Sequence, residues 1–115
     1  KLEAGTEYYF REISRSNIPF QSVLDNILLL GKKRQIIIQS LFSSIDGRAP
    51  DSREINAFAA RLKELRAKGA QISHVQIYSA TRPLSNSRVG HLSLKNMSDI
   101  AAIVRQVSGL RVELY

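Results

Sequence analysis

Leu28-Leu29-Leu30-Gly31 runs, after three basic residues, into Gln35-Ile36-Ile37-Ile38-Gln39. The first stretch is apolar at helical spacing and closes on glycine, the residue that most readily adopts the left-handed conformation ending a helix. The second is rich in β-branched residues and reads as a strand. The junction returns at Leu65-Arg66-Ala67-Lys68-Gly69 before Ile72-Ser73-His74-Val75-Gln76-Ile77-Tyr78, and at Val104-Arg105-Gln106-Val107-Ser108-Gly109 before Leu110-Arg111-Val112-Glu113-Leu114-Tyr115. Glycines 31, 69 and 109 lie 38 and 40 residues apart, the length of one strand–helix unit. Such alternation predicts an α/β fold with a parallel sheet and right-handed crossovers. The unbroken run Ile36-Ile37-Ile38 suits a strand covered on both faces.

Helix starts are legible as well. Ser16-Asn17 precede Pro19, which suits a first helical turn, and Val23, Ile27 and Leu30 follow on one face. Asp51 with Glu54 forms a capping-box pattern ahead of a stripe at Ile55, Phe58, Leu62 and Leu65; Glu64 and Lys68 are spaced as an ion pair. Ser93 can cap a third helix with Met97, Ile100, Ala101 and Val104 on its inner face. Asp46-Gly47 is a turn signal.

The chain of 115 residues is 43% hydrophobic and 23% charged, ordinary for one folded domain. It contains no cysteine, which excludes a disulfide, a cysteine nucleophile or a thiolate-held metal within it. That composition fits a reducing compartment, and a cytoplasmic location is expected. No apolar run approaches the roughly 20 residues of a membrane helix, so no membrane partner is expected. The net charge is +7, carried by dispersed Lys and Arg with one tight run, Lys32-Lys33-Arg34. A solvated basic surface and a polyanion-binding face both agree with that pattern. Lys1-Leu2 reads as the tail of a strand and Tyr115 falls within strand-like sequence, so the chain is expected to be a fragment of a larger protein.

In α/β folds, sites gather at the carboxyl ends of parallel strands. The residues expected there are Lys1 and Glu3, then Gln39, Ser40 and Phe42, then Tyr78, Ser79, Thr81 and Arg82. Gln39 and Gln76 occupy equivalent places in their strands, where an amide can either bind a polar ligand or satisfy nearby loop backbone. Tyr78, Gln39 and Gln76 are expected on a common rim. Arg82 can grip a carboxylate or phosphate, or pair locally. His74 lies early in its strand and reads as structural; His91 can be a surface residue or reach the active face. Metal-ligand spacing, a phosphate-binding glycine fingerprint and a nucleophile elbow are all missing.

Lys1-Leu2-Glu3-Ala4-Gly5-Thr6-Glu7 with Phe10-Arg11-Glu12-Ile13 resembles the segment KLDAGTxxxFRxIN of radical S-adenosylmethionine enzymes. Ile38 to Phe42, the stretch Val75-Gln76-Ile77-Tyr78-Ser79-Ala80-Thr81-Arg82-Pro83 and Leu110 to Tyr115 look like later strands of one bacterial branch, in the same order. The resemblance implies the C-terminal half of a partial TIM-like (β/α) barrel, with three to four parallel strands and helices on one face. It implies a parent enzyme with a four-iron–four-sulfur cluster on a C-x-x-x-C-x-x-C loop and S-adenosylmethionine as cofactor; this chain, lacking that loop, would bind neither by itself. By position, Lys1, Glu3, Gln39, Ser40, Gln76 and Tyr78 would line the cofactor site, with Thr81 and Arg82 toward substrate. The partner would then be the rest of the same polypeptide, with edge-to-edge self-association as a consequence of exposed strand edges. A basic module holding RNA through Arg61, Arg66, Lys68 and Lys32 to Arg34 is the less favoured alternative. A phosphate-handling barrel would need glycine-rich anion nests that these links lack.

Overall fold

The computed structural model describes residues 1–14, 17–79 and 89–115. The order is α1 (Glu7–Ile13), α2 (Phe20–Lys33), β1 (Ile36–Phe42), β2 (Ser44–Ile45), α3 (Ser52–Ala67), β3 (Ile72–Ser79), β4 (Val89–Gly90), α4 (Leu94–Ser108) and β5 (Arg111–Leu114). β1, β3 and β5 form a parallel sheet in that spatial order, and β2 pairs with β4 in a small antiparallel one. The helix of each crossover joins neighbouring parallel strands, the arrangement the glycine-spaced junctions predict.

One face of the parallel sheet carries the core. Ile38, Phe42, Val75, Ile77 and Val112 pack with Phe58 and Leu62 of α3 and Ile100 and Val104 of α4 in a single buried cluster. The other face of β1 is open, with Ile37 48% exposed. The isoleucine run is therefore not covered on both sides by the described residues: its alternation puts Ile38 inside and Ile37 out. A register irregularity between Ile36 and Ile38 sets three residues of β3 opposite two of β1 and restores the inward phase at Val75.

The stripes of α3 and α4 are buried as expected, and Asp51 and Ser93 accept hydrogen bonds from the Glu54 and Asn96 amides at 2.8 and 3.1 Å. Gly109 caps α4 at φ 73° and Gly69 follows α3 at φ 108°. Gly31 differs. It lies inside α2, which continues to Lys33, and a Cβ there would come within 2.9 Å of the Ala70 Cβ. Its role is close approach, not termination. The inner face of α2 is Phe20, Leu24, Ile27 and Gly31, while Leu30 is 44% exposed, so that stripe is rotated from the expected one. Pro19 stands at the N-cap position, one residue before the first turn. Glu64 lies 3.6 Å from Arg61 instead of pairing with Lys68. Asp46 and Gly47 both have positive φ, 53° and 77°, and Ile45 and Arg48 exchange backbone hydrogen bonds around them: a tight two-residue turn. No helix among the described residues is long and apolar enough to cross a membrane.

Candidate functional site

The open sheet face is built by strand alternation. Gln39 of β1, Gln76 of β3 and Glu113 of β5 are register partners in one row. The Gln39 amide donates to the Gln76 side-chain oxygen at 3.2 Å, and the Tyr78 hydroxyl donates to the same atom at 3.1 Å. Tyr78 stacks on Tyr115, with ring centroids 5.0 Å apart and planes at 19°. The Gln76 amide faces the Tyr115 hydroxyl at 3.5 Å, and that hydroxyl donates to Glu113 at 3.1 Å. Gln39, Gln76 and Tyr78 thus share one face, but Gln39 and Gln76 lie in the middle of their strands and not on the carboxyl-end rim expected for them.

The network continues toward the N-terminal end of the strands. His74 is buried, with Nε2 3.1 Å from the same Glu113 oxygen. Its Nδ1 meets Ser73 Oγ at 2.9 Å and Arg111 Nη2 at 3.2 Å. Arginine can only donate, so Nδ1 accepts and the imidazole hydrogen sits on Nε2, aimed at the carboxylate. The structural role expected for His74 is therefore a specific one: it joins β3 to β5. The hydrogen bond to Glu113 holds the Tyr115 phenol above its ordinary pKa, since ionisation would set two negative charges side by side.

Lys1 and Glu3 lie along the free edge of β1. The Leu2 amide donates to the Gln39 carbonyl at 3.1 Å, and the Glu3 carboxylate is near the Leu41 amide. Desolvation raises the Glu3 pKa, against the opposing pull of Lys1, the N-terminal ammonium and the Leu41 amide. Ser40 is not with the others. Neighbouring residues of a strand face opposite ways, and Ser40 points into the core, fully buried, its hydroxyl without a hydrogen-bond partner. Thr81 and Arg82 lie outside the described residues, and His91 is exposed between β4 and α4.

Three members were not named from the sequence: Glu113 and Tyr115, and His74 as a network residue. The available signal was positional, since Glu113 sits in the third strand where Gln39 and Gln76 sit in theirs. Among the described residues no group of three His, Asp or Glu could hold a metal ion. The chain has no cysteine, so it offers no thiolate to an iron–sulfur cluster. The donor set of the open face is different in kind: amides, a carboxylate and a stacked aromatic pair, suited to a polar organic ligand with a planar part.

Comparison with known protein families finds no family model that matches the chain, and no curated protein matches it.

Proposed function

We propose that this chain is the C-terminal half of a TIM-like barrel of a radical S-adenosylmethionine enzyme, and that its open sheet face lines the cofactor and substrate cavity. The observation that carries the reading is the row Gln39, Gln76, Glu113, continued by the stacked Tyr78 and Tyr115, on the uncovered face of three parallel strands. Closing a parallel sheet into a barrel turns one face inward, and where that interior holds a ligand, polar groups on the face make the contacts. Here helices occupy one side and hydrogen-bonded polar groups the other. Ile37, apolar and exposed beside the row, is what a neighbouring part of the barrel would cover.

In this reading the stacked tyrosines and the two amides hold the nucleoside of S-adenosylmethionine, and Glu113 attracts its cationic end. Lys1 and Glu3 sit at the β1 edge, where the preceding strand of the barrel would bring the ribose. When bound, S-adenosylmethionine supplies the alkyl carbon at which such chemistry starts; these residues bind and orient it. The cluster ligands would come from the other half of the parent, and this chain alone is not a competent enzyme. A cytoplasmic setting agrees with that assignment.

The test is a titration of the isolated chain with S-adenosylmethionine, followed through the side-chain amide resonances of Gln39 and Gln76. Shifts confined to those amides, Tyr78 and the Glu113 region are expected, with affinity weaker than micromolar because part of the site is missing. Micromolar binding by calorimetry would contradict the half-site claim. Shifts restricted to the helix-covered side would refute the surface.

A further inference from the structure

The cations of this chain are concentrated at the end of the sheet opposite the strands' carboxyl termini. α2 ends in Lys32 and Lys33 and is capped by Arg34; α3 ends in Arg66 and is capped by Lys68; α4 carries Arg105 in its last turn, and Arg111 opens β5. The fold ties these helix ends together. The Gln71 amide donates to the Gly31 carbonyl at 2.9 Å, the Gln71 side chain lies 3.4 Å from the Lys32 carbonyl, and Arg66 Nη1 donates to the Ser108 carbonyl at 2.8 Å. Seven Lys and Arg therefore share one rim.

Helix dipoles account for part of this. Cations favour helix C-termini, where unpaired carbonyls carry partial negative charge, and Arg66 bonds the Ser108 carbonyl at the end of α4, while Arg105 is taken up by the Val112 carbonyl of β5. Arg111 is engaged by His74. Lys32, Lys33, Arg34 and Lys68 are exposed and form no ion pair among the described residues. Glu64, the one acid in the three helix-end stretches, lies beside Arg61. Arg61 itself lies over the Phe20 ring and donates to the Gly5 carbonyl, so it belongs to the packing and not to this rim.

We propose that this rim binds the phosphodiester backbone of a nucleic-acid duplex without sequence preference. Helices packed at 8–10 Å spacing give a rim roughly 20 Å long, the axial length of about six base pairs. No aromatic residue occurs in the three helix-end stretches to stack on bases, so contact is with phosphate. The surface is separate from the open sheet face and does not depend on its assignment.

The probe is a fluorescein-labelled 15-base-pair DNA duplex of arbitrary sequence, followed by anisotropy. Four phosphate contacts give a slope of log affinity against log salt near −3.6, so raising salt fourfold should weaken binding about a hundredfold. The variant Lys32→Gln/Lys33→Gln/Arg34→Gln/Lys68→Gln, checked for folding by circular dichroism, is expected to lose at least tenfold in affinity and most of the salt slope. Arg48→Gln/Arg53→Gln/Lys63→Gln/Lys95→Gln removes the same charge elsewhere and should change affinity less than threefold. Equal losses in both variants, an unchanged rim variant, or binding to anionic lipid vesicles with none to the duplex would each overturn the proposal.

Discussion

Glu54 is buried, yet it holds the first residues of the chain. Its carboxylate accepts from the Gly5 amide at 2.5 Å and the Thr6 hydroxyl at 2.6 Å, residues nearly fifty positions away. Desolvation raises its pKa, those donors pull the other way, and Asp51 adds to the rise. A carboxyl whose folded pKa lies above its unfolded value, 4.5, stabilises fully below that pH and loses the contribution as pH rises through the folded pKa. The urea midpoint is therefore expected to fall between pH 4.5 and neutrality, and Glu54→Gln should remove much of that fall. Glu3, shifted in the same direction, leaves a remainder. Glu54→Ala strands the Gly5 amide and should cost about 2–3 kcal/mol in chemical denaturation. Ser40→Ala should be neutral or stabilise by up to about 1 kcal/mol, because its buried hydroxyl bonds nothing. Gly31→Ala gains about 1 kcal/mol in helix propensity, but the added methyl meets Ala70 and should cost about 1–3 kcal/mol. A lowered melting temperature is the expected net result, whereas a rise would show that α2 can shift freely.

At the scale of elements, α3 and α4 were readable in full because their apolar stripes are long and their caps are Asp and Ser. α2 was readable as a helix but not in phase. Leu28-Leu29-Leu30 offers several faces, and the one chosen includes Gly31, which carries no hydrophobic signal. A glycine that ends a helix and one that lets a helix approach a neighbour look alike until the contact is known. α1 has little signal in the sequence because it is seven residues long and buries one side chain, Tyr9; its Thr6 cap is the legible clue. The capping box is half present: Asp51 caps the helix, whereas Glu54 turns away to Gly5 and Thr6. In the site, the equivalence of Gln39 and Gln76 was visible in their strands, whereas grouping Ser40 with Gln39 ignored the two-residue period. Glu113 needed the β3–β5 register, which single strands do not reveal. Asp51→Ala tests the cap alone and should cost about 1 kcal/mol by urea denaturation.

The whole molecule is two-ended, with a polar open face rising from a cationic rim. Among the described residues its parallel sheet ends on β1 and on β5. The β1 edge is partly occupied by Leu2 and the Glu3 carboxylate. The β5 edge is met by Arg105, whose guanidinium donates to the Val112 carbonyl at 2.9 Å. Free strand edges recruit other chains unless they are blocked. Self-association through β5 is therefore expected as concentration approaches millimolar, and Arg105→Ala should bring its onset down several-fold by light scattering. A monomer throughout, in both proteins, would argue that neither edge is available.

The attachment of the opening segment carries its own kinetic meaning. From Leu2 to Ser14 it is held by the Leu2 amide, the Glu54 carboxylate, Arg61 on the Gly5 carbonyl and the Tyr9 hydroxyl on the Ser43 carbonyl, with Leu2, Ala4 and Tyr9 buried in the core. Because none of these contacts is a rung of the parallel ladder, the segment can open as a unit while β1, β3 and β5 stay paired. Its amides, that of Gly5 among them, should trade hydrogen for deuterium ahead of those in Val75 and Ile77.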